Sequence, residues 1–313
     1  MSGAHLPLGD GREFDAIRGM LDAWGPRASG VGDDAAVLTV PRGQELVVST
    51  DASVEGVHFR RDWMSPRELG ERAAAAALSD LAAMAATPLG LLLALAVPMG
   101  WQDDVLEVAR GVGAAAARAR CPIVGGNLTR GTELSITITV LGGASSPLRR
   151  IGAGVGDRAF VTGRLGGPGA ALRALLAGGQ PSAADRARFV VPVPRLEEAR
   201  WLVAHGAHAA IDISDGLLAD AMHLARASGV TLAIDLAALP CVDGVSPEDA
   251  AASGEEYELL VAFPSHVAVD TLAFEGTFTL PLTEIGWAVE RGPEPVHLSG
   301  GLPARVRGHD HLR

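Results

Sequence analysis

From Leu81 to Trp101 the chain carries no charged side chain. A run of about 20 such residues is long enough to cross a bilayer as one helix. Thr87-Pro88-Leu89-Gly90 divides it, however, and proline with glycine punctuates local structure. The part before that break continues a helical periodicity that begins at Ser65, and the part after it is a short apolar run. The expectation is therefore an amphipathic helix over 65–86, a turn at 87–90 and a strand at about 91–97, with no membrane span. Ser65-Pro66-Arg67-Glu68 gives that helix a start: an N-cap, a proline at the first helical position and a capping-box glutamate.

The remaining pattern predicts a helix over 12–24, strands near 35–40 and 45–50, a helix at 103–119 and a strand at 133–142. The segment 143–157 (GASSPLRRIGAGVGD) is rich in Gly, Ser and Pro and reads as a boundary between a domain of residues 1–146 and one of 147–313. Beyond it follow a strand at 158–162, a glycine-rich turn, helices to about 205, a strand at 209–213 and a helix at 217–228. Strands at 230–236 and 257–263, a helix near 265–274 and a strand near 283–289 complete the order. A length of 313 residues suits two domains. Strands and helices mix without strict alternation, so the fold class is α/β in the broad sense, or α+β.

Composition narrows the chemistry. The 26 Lys and Arg residues are all arginine, because the sequence contains no lysine. That excludes the Walker-type phosphate loop, the strand lysine of protein kinases and Schiff-base catalysis. A net charge of −11 argues against nucleic acid as a partner. Cys121 and Cys241 make no disulfide framework and fit a reducing compartment as small core residues. No basic segment followed by an apolar one opens the chain, so the expected location is cytoplasmic.

Aspartates stand where strands end and loops begin. Gly32-Asp33-Asp34 precedes one predicted strand, Ser49-Thr50-Asp51 ends the next, and Ile211-Asp212-Ile213-Ser214-Asp215-Gly216 leads from a strand into a helix. Asp80 falls on the stripe that Leu69, Ala73, Ala76 and Met84 define on the 65–86 helix, where an uncompensated carboxylate costs several kcal/mol. Each motif alone has an ordinary reading as a turn, cap or ion pair. Together, in a chain without lysine, they point to oxygen ligands for Mg²⁺. Gly125-Gly126-Asn127-Leu128-Thr129-Arg130-Gly131 and Gly163-Arg164-Leu165-Gly166-Gly167-Pro168-Gly169 read as glycine-rich turns, the second opening a helix whose free N–H groups suit an anion. Arg149-Arg150 offers guanidinium groups for phosphate or a solvated linker. His309 and His311 read as part of a polar tail.

In that order GDDAAVL (32–38), STDASVEGVHF (49–59), SDLAAMAATPLG (79–90), GGNLTRG (125–131), AIDISDGLLAD (210–220) and SGEEYELL (253–260) resemble the thiamine-monophosphate kinase family. That family belongs to the superfamily that includes aminoimidazole ribonucleotide synthetase. The resemblance implies that superfamily's two-domain fold, with an N-terminal mixed sheet and helices and a C-terminal α/β domain. It also implies ATP and thiamine monophosphate as substrates, several Mg²⁺ and a homodimer. By motif, Asp34, Ser49, Thr50, Asp51, Asp80, Asn127, Asp212 and Asp215 would hold the metals. Gly126, Asn127, Arg150 and Ser214 would contact ATP, and His58, Glu255 and His309 would contact the thiamine phosphate. Asn127 stands where the family places an aspartate, and His309 where it places an aromatic residue. The other readings are a relative such as aminoimidazole ribonucleotide synthetase, or a nucleotide-binding homologue without catalysis.

Overall fold

The capping box forms as the residue types dictate. In the computed structural model, which describes residues 10–299, the Ser65 N–H donates to Glu68 Oε2 at 2.8 Å and the Glu68 N–H to Ser65 Oγ at 3.3 Å. The helix that follows, α2 (Pro66–Ala83), comes after α1 (Arg12–Trp24) and β1 (Glu45–Val54). Beyond it lie β2 (Thr87–Val97), α3 (Val105–Arg118), β3 (Ile123–Arg130) and β4 (Ser135–Ala144).

These elements make one unit, which takes the described residues up to Leu81 together with Ala86–Ser145. Its four-stranded sheet has the order β1-β4-β2-β3, with β2 and β3 parallel and the other pairs antiparallel. Alternation along β4 buries Ile136, Ile138 and Val140. Trp24 docks α1 on α3, its Nε1 donating to the Ala109 carbonyl at 2.7 Å. A Cβ on Gly111 would stand 1.9 Å from the Arg67 carbonyl oxygen, so α2 and α3 pack backbone to backbone.

Several expectations need correction. Helix α2 is not amphipathic: from Leu69 to Ala83 only Glu71 and Asp80 escape burial, and even Arg72 is 7% exposed. The break in the uncharged run falls at Met84–Ala86, where Ala85 has φ 52°, and Thr87–Gly90 already belong to β2. Proline is tolerated there because pairing with β3 starts only at Leu91, and a bulge lies between Pro88 and Gly90 against β4. Residues 35–40 form no strand; they find no partner, and Val37 is 95% exposed. The 125–131 motif is no turn: its residues 125–130 form most of β3, and Gly131 follows the strand. Cys121 is buried as expected, whereas Cys241 is only half-buried.

The second unit takes Ala82–Ala85 with the described residues from Ser146 on. It contains β5 (Arg158–Thr162), α4 (Gly167–Leu176), α5 (Ala183–Val190), α6 (Leu196–Ala204), β6 (Ala209–Asp212) and α7 (Leu217–Ser228). The chain continues through β7 (Thr231–Asp235), α8 (Pro247–Ala251), β8 (Leu259–Phe263), α9 (Thr271–Phe278), β9 (Leu282–Val289) and β10 (Val296–Ser299). The last strand had no sequence signal. The last helix begins six residues later than the pattern suggested, at the Asp270 cap, whose side chain accepts from the Ala273 N–H at 2.9 Å.

The six strands run in the order β10-β7-β9-β5-β8-β6, antiparallel except for the β10–β7 pair. Ala159, Val161, Ile211 and Leu260 pack on one face with Leu217, Ala221 and Leu224 of α7. The alternate residues Phe160, Ala210, Val261 and Phe263 pack on the other with Leu202 of α6 and Phe274 of α9. Covering both faces is what makes these strands short uninterrupted apolar runs. The result is an α+β fold in two units, each with a mixed sheet.

Candidate functional site

In the first unit the alternation of β1 decides which of its polar residues can act together. The strand does not end at Asp51 but runs to Val54, so Ser49 and Asp51 share its half-buried face and Thr50 projects to the other. Ser49 Oγ donates to Asp80 Oδ2 at 2.5 Å, which joins the β1 motif to the α2 carboxylate. Thr50 Oγ1 instead lies 3.0 Å from Thr139 Oγ1 across the strand pair. His58, in the turn after β1, accepts the Val54 N–H on Nδ1 at 3.1 Å. That bond leaves the ring proton on Nε2.

A cavity of about 310 Å³ brings Asp33, Asp34, Gly126 and Asn127 to one place. Its apolar wall comes from α1, chiefly Phe14, Ile17 and Leu21. Gly126 belongs there for a steric reason: a Cβ would fall 1.9 Å from the Leu93 carbonyl oxygen of β2. The bare backbone of β3 can thus line the cavity while lying close against its neighbour.

In the second unit three loops are tied into one frame. The first follows Asp212, the last residue of β6, and carries Ser214 and Asp215; the second, 253–258, lies beside it. The Glu255 N–H donates to the Ser214 carbonyl at 2.6 Å and the Tyr257 N–H to that of Ile213 at 2.9 Å. Glu255 and Tyr257 adopt left-handed φ values of 61° and 52°, a strain held by those bonds. The third loop is the glycine-rich turn before α4. The Gly166 N–H donates to Glu256 Oε1 at 2.6 Å, the Gly169 N–H to Ser253 Oγ at 2.9 Å, and Ser253 Oγ donates to the same Glu256 oxygen. Arg195 grips Glu258 through two bonds of 2.7 and 2.5 Å. Arg150 is exposed, its carbonyl held by Ser228 Oγ at 2.9 Å. His309 lies outside the described residues.

Asp220, within the AIDISDGLLAD motif, is a further residue of this frame. It lies one turn into α7 and is buried, and its Oδ2 accepts the N–H groups of both Ser214 and Asp215 at 3.0 Å. Burial first, then the charges of Asp212 and Asp215, push its carboxyl up to about 7. The signal was available: an aspartate among Leu217, Leu218, Ala221 and Leu224 on a helix must have a buried purpose.

Glu256 is likewise pushed up to about 7, above all by burial. The folded chain therefore keeps a proton there that an unfolded carboxyl, at 4.5, has released. This contribution to stability is complete below about pH 4.5 and lost as pH rises through about 7. At about 1.4 kcal/mol per pH unit, the loss is at most about 3.5 kcal/mol. Glu256→Gln should flatten the fall in melting temperature between pH 5 and pH 8; an unchanged slope would show that Glu256 is ionised throughout.

Among the described residues, no three His, Cys, Asp or Glu side chains converge to hold an ion unaided. This donor set still fits Mg²⁺, which is commonly held by one or two carboxylates with waters and substrate phosphates. Asp80 accepts the Ser49 hydroxyl, Asp34 lines the same cavity as Asn127, and Asp212 and Asp215 flank Ser214 in the sequence.

Family models described as AIR synthase related protein, N-terminal domain and C-terminal domain, match residues 32–144 and 154–298. Thiamine-monophosphate kinase of Salmonella typhimurium (strain LT2) is 35% identical over 321 residues, covering 96% of each chain. The crystal structure of thiamine-monophosphate kinase from Stenotrophomonas maltophilia K279a is similar with TM-score 0.82 and 33% identity, over 90% of this chain and 96% of that one. A structure described as AaThiL complexed with AMPPCP and TMP matches with TM-score 0.77 and 30% identity over 95% of each chain.

Proposed function

Because this chain belongs to the thiamine-monophosphate kinase family of AIR synthase related proteins, we propose that it transfers the γ-phosphoryl group of ATP to thiamine monophosphate, forming ADP and thiamine diphosphate. The observation that carries this reading is the full-length likeness to a relative complexed with AMPPCP, a non-hydrolysable ATP analogue, and TMP. The local geometry supports it, since the motif residues gather into two prepared groups. One is the cavity with Asp34, Gly126 and Asn127; the other is the loop frame with Asp212, Ser214, Asp215 and Glu255.

In this reading Gly126, Asn127, Arg150 and Ser214 bind ATP, and the apolar α1 wall of the cavity suits the base. Asp34, Ser49, Asp51, Asp80, Asn127, Asp212 and Asp215 supply oxygens for Mg²⁺. The Thr50 hydroxyl, on the other face of β1, is not among the side-chain ligands. When bound, Mg²⁺ neutralises phosphate charge and aligns the in-line attack. The acceptor needs no general base: a phosphate monoester has its second pKa near 6, so its oxygen is already the nucleophile at neutral pH. His58 would donate Nε2–H to that phosphate, and Glu255 would contact the thiamine moiety. His309 would add a contact near the C-terminus. The protein would act in the cytoplasm, without nucleic acid or membrane. It would work as a homodimer; Leu46 and Val48, 50% and 54% exposed on the edge strand β1, support a partner surface.

ADP release by the purified chain should require thiamine monophosphate as well as Mg²⁺; ADP formed equally fast without the acceptor would overturn the reading. Asn127 supplies a neutral oxygen where the family has a carboxylate. Asn127→Asp should lower the Mg²⁺ concentration for half-maximal rate by roughly 3- to 10-fold, about 1 kcal/mol. An unchanged Mg²⁺ dependence would mean that position 127 is not a ligand.

A further inference from the structure

We infer that Asp220 is a positioning residue that holds the Ser214–Asp215 loop in its nucleotide-ready shape. The inference rests on the proposed roles of Ser214 in ATP binding and of Asp212 and Asp215 in metal binding. The loop must present side chains outward while two consecutive backbone N–H groups turn inward. Gly216, the N-cap of α7 with φ 110°, has no side chain to take them and makes no side-chain cap bond. Asp220 takes both on one oxygen, Oδ2, at 3.0 Å each. It can do so because a Cα–Cβ bond on a helix tilts toward the N-terminus, returning the carboxylate over the preceding turn. The side chain is 3% exposed, so water does not compete for these bonds.

The other side of the loop is anchored independently. The Glu255 N–H reaches the Ser214 carbonyl at 2.6 Å, and the Ile213 N–H reaches the Glu258 carbonyl at 2.8 Å. The loop is thus clamped from both sides, and Asp220 acts on two successive residues of the motif.

The function needs an acceptor oxygen at this point, not a charge. An asparagine can place its Oδ1 where Asp220 has Oδ2 and keep both bonds, whereas alanine removes the acceptor from both N–H groups. The test compares Asp220→Asn and Asp220→Ala with the unaltered chain by calorimetric titration of AMPPCP in the presence of Mg²⁺, alongside melting temperature. Asp220→Asn should bind within about threefold of the unaltered chain, and Asp220→Ala at least about tenfold more weakly, about 1.4 kcal/mol. Equal weakening in both folded variants would overturn the inference by showing that the charge acts directly. AMPPCP affinity unchanged in Asp220→Ala, with only a lower melting temperature, would overturn it by reducing Asp220 to a structural part. If the unaltered chain binds no AMPPCP at all, the nucleotide reading itself fails, which is a separate result.

Discussion

Gly126→Ala is expected to abolish nucleotide binding and to destabilise the first unit by about 3 kcal/mol, the upper range for a side chain forced into filled space. The added methyl would stand 1.9 Å from the Leu93 carbonyl oxygen and 2.8 Å from its carbon, so β3 must move away from β2. That shift carries Asn127 with it and deforms the cavity wall. Gly125→Ala is the control on the adjacent residue, because there the methyl meets only Leu92 Cδ2 at an ordinary 3.5 Å. Its melting temperature and AMPPCP affinity should stay near those of the unaltered chain. Equal tolerance at both positions would mean that β3 yields easily and that Gly126 has no steric role.

Asp80→Asn is expected to separate catalysis from folding. Asparagine keeps an oxygen to accept the Ser49 hydroxyl, so stability should change by no more than about 1 kcal/mol, the worth of one hydrogen bond. It removes a charge proposed to hold Mg²⁺, and the rate should fall on the order of 10²- to 10³-fold, the loss typical of one preorganised electrostatic group. Rate and thermal unfolding measured on the same preparation give the comparison. A collapse of melting temperature with rate loss in proportion would make Asp80 a structural carboxylate whose value lies in its tie to β1.

The legible parts of the sequence were those fixed by local chemistry. The start of α2 could be read from Ser65, Pro66 and Glu68 because a capping box is closed within four residues. The start of α7 followed from the turn residues Ser214, Asp215 and Gly216, although no side chain caps it at Gly216. What escaped reading depended on partners distant in sequence. Gly125-Gly126 resemble a turn, and only the parallel neighbour β2 makes them a strand that must lack side chains. Pro88 looks like a breaker until the sheet order leaves it unpaired on one side. Asp51 reads as a strand end, whereas pairing with β4 continues to Val54 and keeps Asp51 in the pleat with Ser49, with Thr50 on the opposite face. The pattern of α7 marks Asp220 as buried but not its partners, which are main-chain N–H groups without identity in a sequence.

The most direct test of the central reading is the product formed from ATP, Mg²⁺ and thiamine monophosphate, identified by mass and counted against ADP. The account predicts thiamine diphosphate and ADP in equal amounts, with neither inorganic phosphate nor AMP accumulating. ADP matched by inorganic phosphate, with thiamine monophosphate unconsumed, would contradict it and leave a protein that binds and hydrolyses nucleotide without using this acceptor.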